Sequence, residues 1–70
     1  MKTEIKIKDQ YITLGQLLKI ADLVNSGGEE KLFLKENEVL VNNEIDQRRG
    51  RKLYKDDVIK VKGNEYKICQ

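Results

Sequence analysis

No histidine occurs anywhere in the 70 residues. That removes the Ser-His and Cys-His pairs that activate a nucleophile, and with them the commonest metal ligand. Cysteine occurs once, at Cys69. A lone thiol forms neither an internal disulfide nor a thiolate zinc site, and such sparing use points to a reducing compartment. Near the end of a strand-like stretch, Cys69 reads as a small apolar filler. Tryptophan is absent and only four residues are aromatic, which argues against a stacking platform for single-stranded bases. No apolar run approaches the ~18 residues of a membrane span. The opening Met1-Lys2-Thr3-Glu4-Ile5-Lys6 alternates charged and apolar residues, unlike a signal peptide. The expectation is a cytoplasmic protein with no membrane contact and no cofactor.

At this length the chain is expected to form one domain, residues 1–70. Such a domain exposes ~4,500 Å² when folded and buries about 60% of its unfolded surface. The apolar part of that burial contributes ~110 kcal/mol at ~25 cal/mol per Å². Ordering the chain costs roughly 105 kcal/mol. The balance is near zero, so the core is small and argues against a large enclosed substrate pocket. Twelve carboxylates keep acid–base chemistry formally open, but nearly all alternate with Lys or sit in polar stretches. The protein is therefore read as non-catalytic. A hydrophobic share of 39% with a net charge of only +2 is the composition of a folded chain, not a disordered one.

Residues 4–8, Glu-Ile-Lys-Ile-Lys, alternate with period two and predict a half-buried strand. Asp9-Gln10 reads as a turn. Thr13 and Gln16 form a T-x-x-Q capping box, with Ile12 and Leu17 placed as a hydrophobic staple. The helix that follows is expected from Leu14 to Val24, with Leu14, Leu17, Leu18, Ala21 and Val24 on one stripe. Ser26 and Glu29 suggest a second capping box after a joint of two to four residues. That second helix is expected from Gly28 to Glu36, with Asn37 taking a left-handed C′ position. Four strands are expected beyond it: Glu38–Val41, Glu44-Ile45 after an Asn42-Asn43 turn, Val58–Lys62 after Asp56-Asp57, and Glu65–Cys69 after Gly63-Asn64. The fold class is α+β: two short helices packed on a small, mainly antiparallel sheet, in the order β-α-α-β-β-β-β.

Charge is not spread evenly. Residues 48–55, Arg-Arg-Gly-Arg-Lys-Leu-Tyr-Lys, hold five basic side chains and no acidic one. The other 62 residues hold nine basic and twelve acidic side chains, so the positive balance lies in this one segment. Concentrated like charges repel, and an anionic partner relieves that repulsion. Arginine adds a planar fork that fits phosphate. Gly50 in its midst permits close approach or a positive φ. Lys31 and Lys35 share a face of the second helix at i and i+4, and Lys19 on the first helix extends the patch. Ser26-Gly27-Gly28 reads first as a helix joint and second as an anion cradle. Glu29, Glu30 and Glu36 complicate that helix as a phosphate site, and the acids of its first turn are explained by the helix dipole.

These pieces together resemble the S-four-like, or alpha-L, RNA-binding domain family, named after a ribosomal small-subunit protein. Leu14-x-x-Leu17-Leu18-Lys19 matches its leucine-rich first helix, and Ser26-Gly27-Gly28-Glu29 matches its joint. Val39-Leu40-Val41-Asn42-Asn43 matches its turn, and Asp57-Val58-Ile59-Lys60-Val61 matches its final strand. Within the family the chain most resembles the small stand-alone bacterial YaaA-type proteins, through Ser-Gly-Gly-Glu and Arg48-Arg49-Gly50-Arg51-Lys52-Leu53. The motifs cover about residues 11–62. Asn43 and Asp56 stand where the family has turn glycines. Glu30 stands where it has a small alanine between the helices.

The resemblance implies binding to structured RNA, ribosomal RNA or a ribosome-assembly intermediate, through a basic arginine hairpin and the helix pair. On that reading Arg48, Arg49, Arg51, Lys52 and Lys55 contact phosphates. Lys31 and Lys35 flank them, and Asn42 bonds a sugar or base. Nothing signals an oligomer, so a monomer is expected. Two other classes compete. A β-grasp sulfur carrier shares the strand, Thr-led helix and Val-Asn turn, but its chemistry needs a terminal Gly-Gly where this sequence reads Ile68-Cys69-Gln70. A protein-binding adaptor would use the same basic segment on an acidic partner.

Overall fold

The computed structural model describes residues 2–70. Its elements run β1 (Lys2–Lys6), β2 (Tyr11–Thr13), α1 (Leu14–Ile20), α2 (Gly27–Glu36), β3 (Val39–Val41), β4 (Glu44–Ile45), β5 (Lys52–Tyr54), β6 (Val58–Val61) and β7 (Asn64–Cys69). Five strands form one sheet in the order β1-β7-β6-β3-β4. Its β1–β7 pair is parallel and the others are antiparallel. The fold class is the expected α+β with a mainly antiparallel sheet. The expected order lacks two strands, because β2 and β5 pair with each other in a separate two-stranded ribbon.

Alternation builds the large sheet. Val39 and Val41, Ile59 and Val61, and Tyr66 and Ile68 are all buried at period two, facing one side. Leu14, Leu17 and Leu18 of α1 and Phe33 and Leu34 of α2 complete that core. Asn42 and Asn43 both adopt left-handed φ, 52° and 70°, the hairpin geometry that matches strand twist. Asparagine thus takes left-handed positions that favour glycine. Asp56 takes the other glycine-like position, at φ 75°. The last turn is centred on Lys62 and Gly63, both at positive φ, one residue earlier than Gly63-Asn64, and Asn64 already opens β7.

Three local expectations are corrected. The first helix ends at Ile20, not Val24. Asp22 turns left-handed at φ 63°, its N–H donates to Lys19 O and the Leu23 N–H donates to Leu18 O. This is a Schellman stop with aspartate at the position usually held by glycine, so no glycine or asparagine advertises it. The joint is accordingly longer than two to four residues, and Val24 is buried from the joint rather than from a helix. Asn37 is extended (φ −124°), not left-handed. It stops α2 by donating both its backbone N–H and its Nδ2 to Phe33 O. At Ser26 the structure forms the hydroxyl half of the box, Glu29 N–H to Oγ at 3.4 Å, whereas Thr13 and Gln16 form both halves. Among the described residues no helix is long and apolar enough to cross a membrane.

Candidate functional site

The basic segment is not a hairpin. It leaves β4, loops past the N-terminus of α1 and enters β5, which pairs antiparallel with β2 through Tyr11–Tyr54, Ile12–Leu53 and Thr13–Lys52. Ile12 and Leu53 point into the core. By strand alternation Tyr11, Thr13, Lys52 and Tyr54 share the opposite face. The backbone of the segment serves the helix. The first-turn N–H groups of Leu14 and Gly15 donate to Arg51 O (2.8 Å) and Arg49 O (2.9 Å). With Gln16 N–H on Thr13 Oγ1, the donors that a helix start leaves open are met. Arg49 and Arg51 are thus placed beside the start of α1 by the carbonyls they offer it, and Arg48 O accepts from Arg51 N–H within the loop.

Their side chains are held as firmly. Asp46, buried, accepts from Arg48 Nε (3.1 Å) and backbone N–H (2.9 Å) on Oδ1, and from Arg48 Nη2 (2.8 Å) and Arg51 Nη1 (2.8 Å) on Oδ2. The Arg48 hydrogen bond holds the Asp46 carboxyl well below the usual carboxylate range, outweighing the opposing effect of burial. The same bond raises Arg48 further above its ordinary value. Two guanidinium groups thus converge on one oxygen, so their bound nitrogens lie no farther apart than twice 2.8 Å. Arg49 donates Nη1 to Gly27 O at 3.1 Å, which ties the segment to the first turn of α2. Each arginine uses one edge inward and keeps further N–H donors for a partner.

Gly27, Lys31 and Lys35 follow at i, i+4 and i+8, so one stripe of α2 runs away from the Arg49 anchor carrying both exposed lysines. Lys52 and Lys55 are exposed on the ribbon side, with Lys52 Nζ 5.0 Å from the Tyr11 ring centre. A Cβ at Gly50 or Gly27 would meet no atom within 4 Å, and neither has a positive φ. Gly50 therefore answers no need of the fold, and the surface beside the arginines lies open. Lys19 is engaged differently: its Nζ lies 3.3 Å from Glu30 Oε2. Asn42 is occupied at both ends of its amide, Nδ2 on Asp57 Oδ1 and Oδ1 on Val58 N–H, each 3.0 Å. Asp57 also accepts from Tyr54 N–H at 2.7 Å. This network gives the Val-Asn and Asp signatures a structural reason.

Sequence reasoning missed three residues. Asp46 is the only carboxylate within two residues of the arginine run, and that spacing was the available signal. Gly15 has a steric purpose, since a Cβ there would strike the Glu30 carboxylate and come within 3.3 Å of Arg49 O. Tyr54 meets Tyr11 with ring centres 5.7 Å apart.

A signature of this breadth places the chain among known proteins. A family model described as the S4 domain matches residues 5–69. The chain belongs to the S4 domain family. The match is wider than the motifs, taking in the end of β1 and all of β7 as well. A protein of Bacillus subtilis (strain 168) named "Probable ribosome maturation protein RlbA" is 57% identical over 63 residues, covering 90% of this chain and 89% of that one.

Proposed function

We propose that this S4-domain chain is a non-catalytic protein that binds structured RNA, ribosomal RNA or a ribosome-assembly intermediate, and acts as a monomer in the cytoplasm. The observation that carries the reading is the anchoring of all three arginines. Asp46 holds Arg48 and Arg51, and Gly27 O holds Arg49 at the start of the α2 stripe that carries Lys31 and Lys35. Ordering long side chains before binding lowers the entropy cost of capturing phosphate. The name of the Bacillus relative, a ribosome maturation protein, agrees in class. A-form RNA hides its bases in a deep, narrow groove, so shape and phosphate contacts dominate. Arg48, Arg49, Arg51, Lys52 and Lys55 meet phosphates, Lys31 and Lys35 flank them, and Ser26-Gly27-Gly28 with Gly50 leaves the backbone approachable. Lys19 and Asn42 contribute less directly, since their polar atoms already serve Glu30 and Asp57.

Five to seven phosphate contacts give a log–log salt slope of about −4 to −6 in binding to ribosomal RNA fragments. Arg51 is bound to Asp46, so the cleaner test reverses Arg49 and Lys35. The Arg49→Glu, Lys35→Glu variant is expected to weaken binding and flatten the slope by about 2. Unchanged affinity overturns the reading. Partners from a pull-down that persist after ribonuclease treatment favour the adaptor instead.

A further inference from the structure

Beside the anchored arginines lies an open groove of about 610 Å³, lined by Arg48, Gly50, Arg51, Lys52, Tyr54 and Asp57. Its lining combines two chemistries. The first is the guanidinium pair converging on Asp46. The second is the Tyr54 ring, 47% exposed, beside the half-buried residue Asp57. Tyr54 is braced: its backbone N–H is bound to Asp57 Oδ2 at 2.7 Å, and its ring leans on Tyr11, itself 38% exposed, at an interplanar angle of 51°. Four aromatics in the whole chain argue against a stacking platform, yet the ribbon brings two of them together and one, Tyr54, lines the cationic groove.

We propose that this groove takes one unstacked nucleotide of the bound RNA, its phosphate on Arg48 and Arg51 and its base over the Tyr54 ring. The orientation follows from charge. Asp57, whose two oxygens already accept from Asn42 Nδ2 and Tyr54 N–H, repels a phosphate from the Tyr54 side, while the guanidinium pair suits the anion. Tyr54 is the one ring in the groove lining, so it offers a face to one base and not to a run of stacked bases. Paired bases in A-form RNA present no free face to a surface ring, so the base that reaches Tyr54 comes from a bulge or loop. This proposal rests on the RNA-binding reading and adds that the target carries an extruded nucleotide beside its helix.

The test uses two hairpin RNAs with the same stem, one fully paired and one with a single bulged 2-aminopurine. Base–aromatic stacking makes the full-length protein prefer the bulged hairpin by roughly five- to a hundred-fold. The 2-aminopurine emission falls on binding. Tyr54→Ala abolishes both effects and Tyr54→Phe keeps both, with circular dichroism confirming that each variant is folded. Equal affinity for the two hairpins with unchanged emission overturns this inference and leaves RNA binding standing. Failure to bind either hairpin at low salt overturns the RNA-binding reading itself.

Discussion

The five-stranded sheet and the two-stranded ribbon are held together by different means. In the sheet, buried pairs such as Val41–Ile59 and Ile59–Tyr66 repeat along neighbouring strands, and burial of apolar area stabilises each in the same way. The ribbon has one inward pair, Ile12 and Leu53. Beyond that pair and the exposed Tyr11–Tyr54 ring contact, what fixes it is polar: two backbone bonds to the start of α1, the Asp46 clasp and the Arg49 bond to Gly27. Repetitive apolar packing makes a frame. Non-repetitive polar bonds aim side chains outward, and it is the ribbon that displays the candidate site.

The largest break in this comparison is Leu53→Ala. Leu53 is fully buried, and truncation costs about 3 kcal/mol in chemical unfolding. Ile68→Ala, equally buried in β7, costs a similar amount. Hydrogen exchange separates the two. Losing Leu53 frees the ribbon, so the Leu14 and Gly15 amides, whose acceptors are Arg51 O and Arg49 O, exchange faster than the β6 and β7 amides. Ile68→Ala speeds exchange throughout the sheet. Uniform exchange in both variants would mean that the ribbon is not a separate unit.

Asp46→Asn tests the polar half of the comparison. It removes a buried anion that meets two guanidinium groups and is expected to cost about 2 kcal/mol at neutral pH. The pH dependence has a defined sign. The folded carboxyl lies below its ordinary value, so the unfolded chain binds this proton more readily than the folded one. The stabilisation is complete above about pH 5 and drains as the pH falls through about 4 towards the folded value. The stability gap between the parent protein and Asp46→Asn should therefore narrow in acid. A gap that stays constant from neutral pH to about pH 3 would remove the ion pair from the explanation.

The same contrast explains what the sequence discloses. Val58-Ile59-Lys60-Val61 and Glu65-Tyr66-Lys67-Ile68 each complete two periods of alternation, and Asn42-Asn43 names its own turn. Tyr11-Ile12-Thr13 holds too few residues to show a period, and its Ile12 and Thr13 read equally well as a staple and cap for α1. Lys52-Leu53-Tyr54 is masked by the charges around it. The arginine cluster is legible as charge, because composition is local. Its geometry is legible only in part: the Asp46 clasp is local and its spacing is a signal, whereas the Gly27 anchor and the Tyr11–Tyr54 contact join residues far apart in the chain. The end of α1 is hidden for a smaller reason, an aspartate in the left-handed position usually signalled by glycine.

The smallest effect comes from the helix on which the ribbon rests. Gly15 lies inside α1, where alanine would ordinarily stabilise by about 1 kcal/mol. Its Cβ would instead displace the Glu30 carboxylate and press on Arg49 O at 3.3 Å. The carboxylate is the end of a flexible side chain and can swing away, at the expense of its contact with Lys19. The carbonyl can yield only if the ribbon moves. Gly15→Ala is therefore expected to be destabilising by about 1 kcal/mol, the reverse of the helical preference. Glu30→Ala alone removes the carboxylate that a Cβ at Gly15 would strike. Combined with Gly15→Ala it should recover most of the loss, with a coupling between the two sites of about 1 kcal/mol in a double-mutant cycle. If the double variant remains as unstable as Gly15→Ala alone, the contact that matters is Arg49 O. The glycine would then be there to let the ribbon dock on the helix, rather than to make room for the acid.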